Sequence, residues 1–181
     1  MTVHVEAKAP SGASSSSAVR THGVVFVHSC PRAVSPHLQW ALTSLFGTQV
    51  VIDWTDQPIA PGTVRAEVIW TGPAGMGARL ASALLAFTQV RYEVTEDPSP
   101  GRPGERFAAT PSLGLFRGDI GAHGDVLVTE ERLRTALAQT ALTGGLAEEV
   151  SRLIGDPWDA ELEPFRCSQA ASNVRVLHEV V

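Results

Sequence analysis

The chain has 181 residues, of which 44% are apolar, enough for one sizeable hydrophobic core in one compact domain. It carries 14 Lys and Arg residues against 19 Asp and Glu residues, and the formal charge of -5 excludes the dense basic surface that nucleic acid requires. No apolar run is long enough to span a bilayer and the N-terminus lacks the apolar core of a secretory signal, which predicts a cytoplasmic protein with no membrane partner.

The N-terminal segment is rich in small residues. Residues 1–21 contain the run APSGASSSSA, which buries too little apolar surface to offset the entropy lost on ordering the chain. We therefore expect a disordered tail over residues 1–21.

Order is predicted to begin at GVVFVHSC, where residues 24–27 form the continuous apolar run typical of a buried strand. A helix should follow, because Ser35 and Pro36 suit an N-cap and a first turn, and Gly47 ends the helical spacing of apolar residues. The β-branched residues of segment 50–54 then predict a second strand.

The same order occurs a second time. TVRAEVIW predicts a third strand, GPAGMGARLASALLAF a second helix and QVRYEV a fourth strand. The duplication predicts a ferredoxin-like βαββαβ sandwich over residues 22–98, with four antiparallel strands under two helices. The alternative is coincidence between two amphipathic helix–strand segments. Five residues recur at an offset of 40 positions: Thr48, Gln49, Val50, Thr55 and Pro58 return as Thr88, Gln89, Val90, Thr95 and Pro98.

Residues 99–181 are predicted to form a C-terminal elaboration packed on this core. Short strands are expected around the turn at 118–124, and Thr129 should start a helix that TGG interrupts before LAEEVSRLI resumes it. DPWDAELEPF predicts a solvated turn held by Trp158 and Phe165, and the β-prone VRVLHEVV predicts a last strand. Acid–base or metal chemistry by the carboxylates of DPWDAELEPF is the alternative.

The segment VHSCPRAVSPH carries the most reactive side chains. A helix dipole and Arg32 would stabilise a thiolate at Cys30, and His28 and His37 would carry protons. We favour the alternative, a buried structural Cys30, since the spacing does not match a phosphatase loop. Two cysteines are too few for a disulfide framework and no CxxC motif is present, so Cys30 and Cys167 are expected to be reduced.

GPAGMGARL places Gly75 and Gly77 at the predicted start of the second helix. Free N–H groups and the helix dipole favour a phosphate there, and Arg79 would add a positive charge. The segment is similar in shape to the glycine loop that holds the coenzyme A pyrophosphate in acyl-CoA acetyltransferases, but Gly72 stands where that loop has Gln or Arg. The alternative is a turn that needs only a tight backbone.

Aromatic residues are concentrated in the predicted sandwich, where we expect them to fill the core, with ligand stacking as the alternative. His123 lies in the glycine-rich GDIGAHGD and is assigned to a turn. The sequence has no GxSxG, HExxH or complete P-loop motif, so we predict no catalytic residue, no metal ligand and no cofactor. The aromatic residues concerned are Trp40, Phe46, Trp54, Trp70 and Tyr92.

Five longer motifs occur along the chain: FVHSCPRAVSPHLQWAL, DWTDQPIAPGTVRAEVIW, RYEVTEDPS, TPSLGLF and DPWDAELEPFR. From about Val24 to the C-terminus they resemble a family of actinobacterial proteins catalogued as domain of unknown function 3145. The resemblance implies a cytoplasmic actinobacterial protein and assigns no activity or catalytic residue. The association of that family with fatty-acid synthesis genes implies an acyl-carrier or acyl-CoA context.

Two functions therefore stay open. The first is a non-enzymatic binding or regulatory module for an unidentified protein or small-molecule ligand, because no complete catalytic motif is present. The alternative is a small acyl-CoA-handling or acyl-transfer enzyme that uses the Gly75/Gly77 helix start as its phosphate site and Cys30 in its chemistry.

Overall fold

The computed structural model describes residues 2–8 and 19–175, which form an α+β structure with one eight-stranded sheet and five helices. The strands are β1 Val3–Glu6, β2 Arg20–Pro31, β3 Thr55–Asp56, β4 Thr63–Pro73, β5 Arg91–Glu96, β6 Gly104–Thr110, β7 Gly114–Ile120 and β8 Val126–Leu127. The helices are α1 Ser35–Phe46, α2 Met76–Leu84, α3 Glu130–Thr140, α4 Leu146–Ile154 and α5 Asp156–Arg175.

The sheet is organised around its two longest strands, β2 and β4. The strand order is β1-β4-β2-β5-β6-β7-β8, and β3 pairs with the first part of β4. β1 is parallel to β4 and every other pair is antiparallel. Gly23 of β2 is required by this packing, since a Cβ atom there would lie 2.0 Å from the Thr95 carbonyl oxygen and 2.4 Å from Cζ2 of Trp70.

The larger core lies between one face of the sheet and helices α1 and α2. Side chains alternate between faces along a strand, and in β4 the even-numbered residues 64–70 are buried while their neighbours are only half-buried. This confirms the alternation predicted for TVRAEVIW. The principal members of this core are Val25, Val27, Leu38, Leu42, Phe46, Val68, Trp70, Leu80, Leu84, Tyr92 and Val94.

Helix α5 covers the opposite face. Ala108 of β6 is buried between Phe107 and Ala109, which belong to the larger core, so its side chain points to the other side of the sheet. There it packs with Phe116, Trp158 and Leu162 in a second, smaller apolar cluster. Strands β6, β7 and β8, from the C-terminal part of the chain, extend the same sheet beyond β5.

The predicted disordered tail is wrong where it meets the sheet. Val3–Glu6 forms β1, because Val5 alternates with polar residues and pairs alongside Trp70 of β4. Arg20 and Thr21 open β2. The Ser-rich run at 11–18 lies outside the described residues.

The predicted strand over 50–54 is also wrong. Only Thr55–Asp56 pairs with the sheet, because the preceding backbone bonds to helix α1 instead. The Val50 N–H donates to Thr43 Oγ1 at 3.2 Å, and the Ile52 N–H donates to Gln39 Oε1 at 3.3 Å. Side chains of the first helix therefore take the N–H groups that a β-ladder would have used.

Two predictions for the C-terminal part are corrected. DPWDAELEPF is the first half of α5 and not a solvated turn, and Pro157 fits because its first-turn position needs no N–H donor. The predicted last strand is wrong at residues 174–175, which end α5, and residues 176–181 lie outside the described residues.

Several helix boundaries agree with the sequence. Gly47 ends α1 in the left-handed region at φ 65°, and Thr129 caps α3 by accepting the Arg132 N–H. The N-cap of α1 is Val34 and not the predicted Ser35. His123 lies in an exposed turn, as predicted. Within residues 2–8 and 19–175, no helix combines the length and apolarity that a membrane span needs.

Candidate functional site

A buried cluster of charged side chains lies between the sheet and α5. Tyr92 and Val94 of β5 face the larger core, so Glu93 between them faces α5. We call the following residues the Glu93 cluster: His28 of β2, Glu93 of β5, Arg106 of β6, and Asp159 and Arg166 of α5.

Glu93 is the centre of this cluster. Its Oε2 accepts hydrogen bonds from His28 Nε2 at 2.7 Å and from Arg166 Nε at 3.0 Å. Its Oε1 accepts from Arg106 Nη2 at 2.8 Å and from Arg166 Nη2 at 2.6 Å. Asp159 accepts from Arg106 Nη1 at 3.2 Å and from Arg166 Nη2 at 2.7 Å, so two carboxylates balance two guanidinium groups.

The hydrogen bonds of the cluster keep Glu93 ionised. Burial alone raises the pKa of its carboxyl group, but the hydrogen bonds and charges of His28 and Arg166 outweigh burial and hold that pKa well below its usual range. For Arg166, burial alone would lower the pKa of the guanidinium group. The hydrogen bonds and charges of Glu93 and Asp159 outweigh this effect, so the pKa of Arg166 is raised. A carboxylate and a guanidinium with such pKa values do not exchange protons near neutral pH.

The part of the cluster formed by His28 and Glu93 is closed to substrate, whereas Asp159 and Arg166 are partly exposed. His28 is 4% exposed, and the space beside it, bounded in part by Phe26, Gln57 and Phe165, has no room for a water molecule. The Gln57 side chain donates to the His28 carbonyl oxygen at 2.7 Å, which fixes the strand at this point. General acid–base work by His28 would therefore require α5 to move away from the sheet.

Cys30 is buried, as predicted, with none of its surface exposed. Desolvation raises the pKa of its thiol to about 11. Arg32, the predicted thiolate partner, instead forms an ion pair with Asp56, and His37 is exposed on α1. The burial of Cys30 favours the structural interpretation over a reactive thiolate.

The predicted phosphate site at the start of α2 is already occupied by a side chain of the protein. The Gly75 N–H donates to Glu96 Oε1 and the Gly77 N–H to Glu96 Oε2, both at 2.7 Å. Glu96 is buried, and a Cβ atom at Gly77 would lie 2.9 Å from its Oε2. The prediction of free N–H groups at Gly75 and Gly77 is therefore wrong. Gly77 allows the close approach of Glu96, and Gly75 adopts the left-handed φ of 87° at the N-cap. Arg79 is exposed on α2.

Sequence reasoning singled out His28 and, among the carboxylates of DPWDAELEPF, Asp159, but it missed Glu93, Arg106 and Arg166. The signal in α5 was the helical spacing of Trp158, Leu162 and Arg166, which places them on the face that meets the sheet. Glu161 contributes a second polar contact on this face, accepting from Thr110 Oγ1 at 2.9 Å and from Arg91 Nε at 3.2 Å.

Trp40 is the aromatic residue whose predicted burial is wrong. Phe46, Trp70 and Tyr92 are buried and Trp54 packs partly against the core, but Trp40 is 73% exposed. It lies two positions from the buried Leu38, which puts it about 200° around the helix, on the solvent face. It borders an open groove of about 480 Å³, the Trp40 groove, whose lining is Pro36, Gln39, Trp40, Thr43, Gly47, Thr48, Gln49 and Val50.

Metal binding was one alternative for the carboxylates of DPWDAELEPF. Across residues 2–8 and 19–175, no group of three or more His, Cys, Asp or Glu side chains is arranged to hold a metal ion. The acidic side chains of α5 that face the sheet, Asp159 and Glu161, are instead paired with arginines.

Replacing Glu93 by Gln should destabilise the protein by about 3 kcal/mol, because it leaves the largely buried Arg106 and the half-buried Arg166 without their shared carboxylate. Equilibrium urea unfolding at pH 7 measures the change. As a matched control, Glu130→Gln removes a carboxylate that is 77% exposed and should change the free energy of unfolding by less than about 0.5 kcal/mol.

The same variants should differ in their pH dependence. The pKa of Glu93 is lowered in the folded state, so its stabilisation is complete above the ordinary value of 4.5 and is lost as pH falls below that value. The free energy of unfolding should therefore fall more steeply below pH 4.5 in the wild type than in Glu93→Gln. Parallel pH profiles would contradict an ionised, buried Glu93.

Iodoacetamide at neutral pH should modify Cys30 about 100-fold more slowly than Cys167, because the Cys30 thiol is buried and protonated whereas Cys167 is exposed. Mass spectrometry of the two cysteine peptides over time measures both rates. In urea the two thiols should react alike, and equal rates in the folded protein would show that Cys30 is accessible after all.

Comparison with known proteins adds a family but no activity. Searches of curated proteins and of solved structures found no match. A family model described as a protein of unknown function, DUF3145, matches residues 24–179, which include the Glu93 cluster and the Trp40 groove. The chain belongs to the DUF3145 family.

Proposed function

We propose that this protein is a non-catalytic binding module and that the Trp40 groove holds its partner. The observation that carries this proposal is an indole ring, 73% exposed, bordering an open groove of about 480 Å³. Large apolar rings at the surface of a folded domain favour recognition, since an exposed tryptophan offers a wide contact area at a low cost in conformational entropy.

The groove is built on fixed elements. Thr43 and Gln39 accept the backbone N–H groups of Val50 and Ile52, which ties the segment after α1 to the helix. Val50 and Ile52 are buried, whereas Val51 between them is 65% exposed and extends the apolar surface beside the groove. A partner would therefore meet a preformed surface and would not have to order it.

The chemistry of the lining favours an uncharged partner. No residue that lines the Trp40 groove has an ionisable side chain, so the groove provides no charge to select an anion or a cation. Trp40 and Pro36 supply flat apolar surfaces, and Gln49 and Thr48 supply polar groups. Grooves with aromatic walls and neutral hydrogen-bonding groups suit extended, proline-rich peptides, and we assign such a segment of another protein as the partner.

The buried polar groups support a function without catalysis. His28 and Glu93 are enclosed under α5, Cys30 is buried, and Glu96 occupies the helix start that an acyl-CoA-handling enzyme would need for a phosphate. The alternative enzyme function has thereby lost the observation that motivated it. The acyl-carrier context implied by the family resemblance contributes one thing to this proposal: it suggests a carrier protein as the partner to be tested.

We also infer that the core of the sheet is a ferredoxin-like duplication. The strand order β5-β2-β4-β3 with α1 and α2 on one face supports it, because this is the order expected of two βαβ units. The positions of β3 and of the end of β5 add support, since Thr55–Asp56 and Thr95–Glu96 are separated by the same 40 residues as the repeated motif.

The binding proposal predicts that a ten-residue polyproline peptide shifts the indole N–H resonance of Trp40 in NMR spectra of the 15N-labelled protein, with a dissociation constant of the order of 0.1 mM. The indole resonances of Trp70 and Trp158, which are buried, should stay in place. A Gly-Ser peptide of equal length is the control for unspecific binding.

Trp40→Ala should abolish the shifts of the backbone amides of Thr48 and Gln49, whereas Thr88→Leu, 40 residues away, should leave them intact. Purified acyl carrier protein, added in place of the peptide, tests the one partner that the family resemblance suggests. If neither the peptide nor that protein moves the Trp40 resonance, the groove is not a binding surface of this kind.

A further inference from the structure

We infer that a second site, for a small neutral apolar group, lies between the C-terminal end of α2 and the turn joining β6 to β7. The site is separate from the Trp40 groove and does not depend on the proposed function. It is a pocket of about 110 Å³, called here the Tyr92 pocket. Its lining residues are Leu85, Phe87, Thr88, Val90, Tyr92, Ala109, Thr110, Pro111 and Gly114.

The floor of the pocket is rigid and apolar. Val90, Tyr92 and Ala109 are each at most 4% exposed and belong to the larger core. The Tyr92 hydroxyl donates to the Ala81 carbonyl oxygen at 3.0 Å, so its polar atom is bound to the α2 backbone and its ring is held in place. Burial also raises the pKa of Tyr92, which keeps the phenol neutral.

Water is poorly held in this pocket. The Thr110 hydroxyl donates to Glu161 at 2.9 Å and accepts the Leu113 N–H at 3.1 Å. Among the described residues, the Thr88 hydroxyl has no hydrogen-bond partner, so it is the one lining side chain with a polar atom still available. A well-held buried water needs two to four polar partners, and displacing a weakly held one with an apolar group favours binding.

Size and charge define the ligand class. A cavity of about 150 Å³ lined by apolar side chains holds benzene, so about 110 Å³ with an open mouth suits a single ring or a chain of similar bulk. None of the lining side chains carries a charge, and the carboxylate nearest in the hydrogen-bond network, Glu161, is paired with Arg91. A charged group would lose its hydration without gaining a partner.

Exposed leucines near the mouth of the pocket indicate where the rest of a larger ligand would lie. Leu85 in the lining is 47% exposed, and Leu113 and Leu115, on either side of Gly114, are 41% and 37% exposed. We call these three exposed leucines, one in the lining and two adjacent in sequence to the lining residue Gly114, the apolar rim. The pocket therefore takes the apolar end of a ligand whose remaining part lies over the rim in solvent.

The Tyr92 pocket and the Trp40 groove lie at corresponding connections between a helix and the following segment. Gly47, Thr48 and Val50 line the groove, and the residues 40 positions later, Phe87, Thr88 and Val90, line the pocket. The two threonines are both exposed, so each provides a matched control for a substitution at the other.

Benzene is the probe, titrated into protein with 13C-labelled methyl groups and followed by NMR. We expect saturable shifts of the Leu85 and Val90 methyl resonances with a dissociation constant of the order of 1 mM, while the methyl groups of Val25 and Val68, elsewhere in the same core, stay unchanged. Benzoate, which adds a charge to the same ring, should not bind at comparable concentrations.

Thr88→Leu should weaken benzene binding at least tenfold by filling the mouth, and because Thr88 is exposed this variant should fold normally. Thr48→Leu and Trp40→Ala should bind benzene as the wild type does, which separates this site from the Trp40 groove. Ala109→Leu, which fills the floor, is a second variant with the same expected loss. Absence of saturable shifts, benzoate binding equal to benzene, or undiminished binding by Thr88→Leu would each overturn the inference.

Discussion

The carboxylate of Glu93 joins strands β2 and β6 to helix α5. It lies on a central strand between two core residues and receives hydrogen bonds from β2, β6 and α5 at once. The apolar contact beneath α5 is small, consisting mainly of Trp158 and Leu162 against Ala108 and Phe116. Helix α5 is therefore held by this ionic contact together with the burial of Trp158 and Leu162, and an arginine left without its carboxylate would favour release of the helix.

The same arrangement determines where function is located. Satisfying Glu93 requires α5 to cover His28, and satisfying Glu96 uses the N–H groups at the start of α2. His28 and the start of α2, two places where the sequence suggested chemistry, are thus each bound to a carboxylate of the protein itself. Two surfaces that stay open are the Trp40 groove, which adjoins α1, and the Tyr92 pocket, which adjoins the end of α2.

The sequence predicted the elements whose causes are local. Three predicted features depend on residues only a few positions apart, and the structure contains all three. They are the alternation in TVRAEVIW, the glycine that ends α1 and the N-cap of α3. The strand predicted over 50–54 was wrong because the side chains of Gln39 and Thr43 bind the backbone of this segment. The β-propensity of the segment contains no information about such contacts. The burial of Trp40 was misjudged because aromatic content was counted without its position on the helix.

The candidate site was harder to predict because its contacts are distant in sequence. Arg166 meets Glu93 across 73 residues and Asp159 meets Arg106 across 53, and charge composition does not show which of many acidic and basic residues will meet. Glu96 reaches Gly77 across 19 residues through the α2–β5 connection, so a glycine-rich helix start looked free in the sequence.

Amide hydrogen exchange along α5 tests the central claim most directly, because it reports how firmly the helix is held to the sheet. If the Glu93 cluster holds it, the amides of residues 159–167 in the wild type should be protected comparably to those of β5. In Glu93→Gln they should exchange as fast as those of the largely exposed α3, while β2 and β4 keep their protection. Fast exchange in wild-type α5, or unchanged protection of α5 in Glu93→Gln, would contradict the account.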